Sequence, residues 1–83
     1  MKEITTKEEE VMRHFWAAGS LFVKQIVEMY KDPKPHFNTI STYVHRLEEK
    51  GYLDHEALET TFHYFPVISE EEYKKGNLGN VIN

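Results

Sequence analysis

Between residues 36 and 50 the chain places hydrogen-bonding side chains at helical spacing. At roughly 100° per residue, Asn38, Thr42, His45 and Glu49 share one stripe, with Ser41 and Arg46 flanking it. Amide, hydroxyl, imidazole and guanidinium groups on one helix face are suited to reading base edges and gripping phosphates. An Asn side chain can pair with adenine through two hydrogen bonds, hydroxyls can reach bases or phosphates, and a Thr methyl can touch a thymine methyl. Arg46 would reach a backbone phosphate as such a helix crosses the groove. Each residue also has a plainer reading: a local helix cap for Asn38, a solvated surface for Ser41 and Thr42, and an intrahelical pair with Glu49 for Arg46. His45 is either a contact whose charge changes near neutral pH or an ordinary surface histidine. Lys24, Lys31 and Lys34 could grip phosphates from the preceding helix and turn, or could simply be solvated.

Other chemistries find little support. The chain has no cysteine, so disulfides, thiolate metal sites and cysteine nucleophiles are excluded. His14, His36, His45, His55 and His63 show no i, i+4 pairing and no conventional ligand motif. His55 and His63 could meet across a hairpin, but would need further ligands. No metal or cofactor is expected. No glycine-rich phosphate loop or nucleophile elbow occurs, so the chain does not read as an enzyme.

The polar stripe needs elements to hold it. Thr5 and Thr6 precede Glu8 and Glu9, and either can open a capping box on a first helix carrying Val11, Met12, Phe15 and Trp16 on one face. Phe15 and Trp16 are expected in the core, and Gly19 closes the helix. Ser20-Leu21-Phe22 adds a brief strand or packs inward. A second helix holds Val23, Ile26, Val27 and Tyr30 on its inner face, and stops at Lys31-Asp32-Pro33-Lys34-Pro35. The third helix is expected from about His36 to Lys50, with Ile40, Tyr43, Val44 and Leu47 facing the core and Gly51 as its stop.

After Gly51 the period changes. Tyr52 to Ala57 and Thr61 to Val67 are rich in aromatic and β-branched residues and predict a two-stranded hairpin. Its connection, around Leu58-Glu59-Thr60, lacks Gly and Asn, which predicts a longer loop rather than a tight primed turn. Ser69 with Glu72 is a second capping box, opening a helix that includes Tyr73. The tail, Gly76 to Asn80, reads as disordered or cut short. The fold class is therefore mainly α with a small β-hairpin, a winged helix-turn-helix: a three-helix core plus a two- to three-stranded antiparallel wing.

The 83 residues allow one domain with one modest core, and aromatics at 13% help so short a chain bury enough surface. The formal net charge of −4 argues against a simple polyanion binder. Its distribution softens that argument, because from Lys31 to Arg46 three cations face one acid, a local charge of +2. The N-terminus carries no apolar run of signal-peptide length, and no stretch approaches the ~18 apolar residues of a membrane span. A cytoplasmic protein without membrane insertion is expected.

The segments Asn38-Thr39-Ile40-Ser41-Thr42 and Arg46-Leu47-Glu48-Glu49-Lys50-Gly51-Tyr52-Leu53 resemble the recognition helix and first wing strand of the penicillinase repressor (BlaI/MecI/CopY) family. Glu9-Glu10-Val11-Met12 with Trp16 is similar to that family's first helix, and Val23-Lys24-Gln25-Ile26-Val27 to its second. Pro33-Lys34-Pro35 and Tyr64-Phe65-Pro66 fit as well, and Ser69 to Tyr73 matches the start of its dimerisation region. The resemblance spans about residues 5 to 74 with spacing preserved. It implies a transcriptional repressor, homodimeric at full length, that sits on inverted-repeat operators in double-stranded DNA and acts on genes akin to those of β-lactam resistance. It adds Thr39 to the DNA-facing set, and it implies a membrane sensor protease that cleaves some members. Residues 1–68 then form the DNA-binding domain and 69–83 the start of a dimerisation region, so the chain reads as an excised or truncated protein, largely monomeric by itself. Without cysteine it cannot sense copper as the copper-responsive members do.

The wing departs from what DNA binding asks. From Asp54 to Phe65 its charged residues are Asp54, Glu56 and Glu59, with no Lys or Arg. A module for protein–protein contact is therefore the competing class. Such a surface should expose apolar or aromatic anchors, whereas the third helix offers hydrogen-bonding groups. That difference favours DNA.

Overall fold

The computed structural model describes residues 3–75. Thr5 is the residue that opens the first helix, α1 (Thr6–Ala18): its hydroxyl accepts from the Glu8 amide at 3.1 Å, and the Glu8 carboxylate accepts from the Thr5 amide at 2.9 Å. This reciprocal cap satisfies two amides that the helix itself leaves unpaired. Helix α2 (Val23–Glu28) is short, and the Gln25 side chain accepts from the amide of Phe22 just before it at 2.8 Å. Tyr30 lies past its end but still packs on the core. Helix α3 spans Phe37–Glu49, with His36 and Lys50 as its flanking caps.

Gly51 turns the chain from α3 into the hairpin. Its φ of 91° is one that L side chains rarely adopt. The Gly51 amide donates to the Glu48 carbonyl at 3.1 Å and the Tyr52 amide to the Leu47 carbonyl at 2.9 Å. These two bonds form the 5→2 and 6→1 closure that ends many helices. Strands β1 (Leu53–Leu58) and β2 (Thr61–Pro66) pair antiparallel from Leu53 opposite Pro66 to Leu58 opposite Thr61. Leu21 exchanges both backbone bonds with Tyr64, at 2.8 and 2.9 Å, and supplies a short third strand at the edge.

The hairpin connection differs from the expected longer loop. Only Glu59 and Thr60 lie between the paired Leu58 and Thr61, and Glu59 takes a φ of 58°. Positive φ at the first turn position is the sign pattern of a primed two-residue turn, whose twist matches that of the strands. Strand pairing has imposed on a glutamate a conformation usually left to glycine.

The core joins one face of each helix to the base of the hairpin. Val11, Met12 and Phe15 of α1, Ile26 of α2, and Ile40, Val44 and Leu47 of α3 meet Tyr52, Leu53 and Tyr64. Each large apolar side chain removed from water in this way contributes about 1.5–3 kcal/mol. Trp16 is half-buried and packs against this core from its edge. Its indole N–H donates to the Ile68 carbonyl at 2.9 Å, and its ring lies 5.3 Å from that of Tyr73. Tyr73 belongs to α4 (Glu70–Lys74), opened by the expected reciprocal cap of Ser69 and Glu72. The expectation for the tail, Gly76 to Asn80, lies outside the described residues. Among those described, no helix is long and apolar enough to cross a membrane.

Among the described residues, one polar side chain is buried with the core. Glu8 is 1% exposed, and one carboxylate oxygen accepts from Lys50 Nζ at 2.6 Å, joining the start of α1 to the end of α3. Burial by itself would raise its pKa. The hydrogen bonds from Lys50 and the Thr5 amide, with the charges of Lys50 and Arg46, outweigh burial and hold the carboxyl below its ordinary value of 4.5.

Candidate nucleic-acid interface

Helix α3 buries Ile40, Val44 and Leu47 and leaves Asn38, Thr39, Thr42, His45 and Arg46 exposed, with Ser41 half-buried. The structure thus brings six of the eight expected site residues onto one element. Its first turn carries no acid, so the partial positive charge of the helix N-terminus is unopposed there. Thr42 donates its hydroxyl to the Asn38 carbonyl at 2.9 Å, which fixes the hydroxyl proton and leaves its oxygen free to accept. Among the described residues the Asn38 side-chain amide has no partner, and the cap position is His36 rather than Asn38. Glu49 is exposed at the far end of the same stripe, which confines an anion-facing surface to the first two or three turns.

Arg46 forms no ion pair among the described residues, so the alternative of a pair with Glu49 is not realised. Its charge is instead close enough to Glu8 to help lower that carboxyl's pKa. Lys24 is exposed on α2. Lys34 is occupied in a way its sequence position did not reveal: its ammonium donates to the Glu28 carbonyl at 3.1 Å and the Tyr30 carbonyl at 2.6 Å. It closes the end of α2, where a cation also complements the helix dipole, and one ammonium proton is left over.

The opposite edge of α3 faces the hairpin. His55 Nδ1 lies 2.5 Å from Glu48 Oε2, and the His45 ring centroid is 6.3 Å from that of Tyr64. Above these contacts opens a groove of about 580 Å³, walled by Phe37, Ser41 and His45 on one side and by Thr61 and Phe62 on the other, with Phe22 and Lys24 also lining it. Phe37 and Phe62 are each 51% exposed. None of these groove residues except Ser41, His45 and Lys24 stood out in the sequence, because the groove depends on how α3 and the hairpin are juxtaposed.

The histidines do not combine as one sequence alternative allowed. In the observed register His55 lies opposite Tyr64, and His63 opposite Glu56, so the two imidazoles project from opposite faces of the hairpin. His55 packs on Phe62 at 4.7 Å, while His63 stacks on Phe22 at 4.5 Å. Glu48, Asp54 and His55 do place potential ligand atoms within 4.8 Å of one another. All three are already engaged, Glu48 and the His55 ring with each other and Asp54 with the His55 amide at 2.8 Å.

Comparison with known proteins agrees with this architecture. The sequence profile of the family described as Penicillinase repressor matches residues 4–83. The chain is 33% identical over 84 residues to the methicillin resistance regulatory protein MecI of Staphylococcus aureus (strain N315), a match covering 98% of this chain and 67% of that protein. An uncharacterized 16.5 kDa protein of Latilactobacillus sakei is 36% identical over 72 residues, 84% of this chain and 49% of its own. Among solved structures, the solution structure of the DNA binding domain of the repressor BlaI superposes with a TM-score of 0.72 at 31% identity. That superposition covers 88% of this chain and 94% of the other.

Proposed function

Because the chain belongs to the penicillinase repressor family, we propose that it represses transcription by laying α3 in the major groove of an inverted-repeat operator in the cytoplasm. The observation that carries this reading is the exposed face of α3. Asn38, Thr42 and His45 are exposed in its first three turns, where recognition helices of this motif contact base edges, and its first turn carries no acid. Asn38 reads a base, Thr42 offers its methyl and acceptor lone pairs, and Thr39 and Ser41 add hydroxyl contacts beside them. Arg46, Lys24 and the remaining proton of Lys34 meet phosphates, which set register without reading sequence. Residues 69–83 begin the region that joins two copies, and two α3 helices then address the two half-sites. Cleavage by a membrane sensor protease releases the repressor from genes of the β-lactam-resistance kind.

The test is fluorescence anisotropy with the inverted repeat upstream of the protein's own gene, against a scrambled duplex, over a series of salt concentrations. Operator reading requires tighter binding to the repeat, weakening with salt, and loss of the preference in the double variant Thr42→Ala, Arg46→Ala. A second reading, a module for protein contact, draws on the exposed rings of Phe37 and Phe62 and on the acids of the wing. Equal and negligible binding to both duplexes by a dimeric form would select it.

A further inference from the structure

We infer that the groove between α3 and the hairpin is a receptor for the 5-methyl group of a thymine, and that Phe37 is a specificity-determining residue at its mouth. The inference rests on the operator reading above and names a base that the polar face alone does not.

Phe37 is the first residue of α3, yet half of its surface is open to water. An aromatic ring gains nothing from exposure at that position, and the first turn of a recognition helix is where base edges are met. In the major groove, the thymine methyl is the one apolar feature that a base pair presents. The groove behind Phe37 is continuous with the polar stripe, since His45 belongs to both and Ser41, which flanks the stripe, also lines the groove. Its walls suit a polyanion: Lys24 is its one lysine or arginine, and no acid lines it, in a chain holding 14 acids. Phe62 closes the far side from the hairpin, so a methyl entering beside Phe37 is covered by two rings. The wing then contributes apolar cover rather than the ionic grip that its composition cannot supply.

The experiment enriches duplexes from a random library with the chain, then replaces each dT of the enriched site by dU, one at a time. Deoxyuridine removes the methyl and leaves pairing intact. For the wild type, one position per half-site should bind about fourfold more weakly as dU, the effect of one buried methyl group. Phe37→Ala should bind the dT duplex more weakly and show no further loss on that dU, while Phe37→Leu keeps the sensitivity. An unchanged melting temperature of both variants separates lost contact from lost fold. If enrichment succeeds and no dU matters, or if Phe37→Ala keeps the dU effect, the thymine receptor is overturned while the operator reading stands. If nothing is enriched, both fall.

Discussion

Under the operator reading proposed above, Arg46 and Asn38 would divide the work of binding in a way that salt can separate. Arg46 has its charge free of any partner ion among the described residues, so a phosphate contact releases about one counterion. Arg46→Gln should therefore weaken binding to every duplex and flatten the slope of log affinity against log salt by about 1. Asn38→Ala should leave that slope unchanged and relax preference at a single base pair, by about 1–3 kcal/mol. Titrations of both variants on operator and scrambled duplexes distinguish the two, and a changed slope for Asn38→Ala would count against its assignment to a base. At this scale the polar residues of α3 were legible in the sequence, because a helix face follows from spacing alone. Lys34 was not. Its two carbonyl partners depend on the path of the chain between α2 and α3.

The elements were legible where their signals are local. Both reciprocal caps, Thr5 with Glu8 and Ser69 with Glu72, stand in the structure as the sequence spacing predicts, and Gly51 ends α3. The hairpin turn was not legible, because its tightness comes from strand pairing and not from its own residues. Glu59 therefore holds a left-handed conformation that disfavours an L side chain by about 1–2 kcal/mol. Glycine there removes that strain but adds about 0.4–1 kcal/mol of unfolded-state freedom. Glu59→Gly should accordingly stabilise the domain by roughly 0.5–1 kcal/mol, read as a higher urea midpoint at unchanged slope. A lower midpoint would mean that the glutamate side chain contributes more than its backbone takes away.

For the molecule as a whole, the feature that sequence reading missed is the buried Glu8. Its cap role is visible within four residues, whereas its partner Lys50 lies 42 residues away. Removing one member of such a pair leaves the other unpaired, and Glu8→Gln should destabilise the fold by about 3 kcal/mol at neutral pH, since Lys50 keeps some contact with water. The pH dependence has a definite sign. The folded pKa of Glu8 lies below 4.5, so its contribution is complete above that value and is lost as pH falls through the folded value. Urea denaturation of wild type and Glu8→Gln should show a gap that is constant above pH 4.5 and narrows on further acidification. A gap independent of pH would show that the charge of Glu8 is not what stabilises the fold there, since glutamine can keep the cap. The groove beside α3 is likewise a property of the assembled molecule, since Phe37 and Phe62 lie far apart in the chain.

Trp16 is the chain's single tryptophan, and its indole sits against Ile68 and Tyr73 where the chain enters α4. The protein therefore carries a built-in optical probe of that junction. Its emission should redden if α4 lifts away and the indole N–H exchanges a backbone carbonyl for water. It should stay constant when α3 alone is occupied, because neither the groove nor the polar stripe includes it. Docking at one end of the domain and rearrangement at the other can thus be followed separately in a single unlabelled sample.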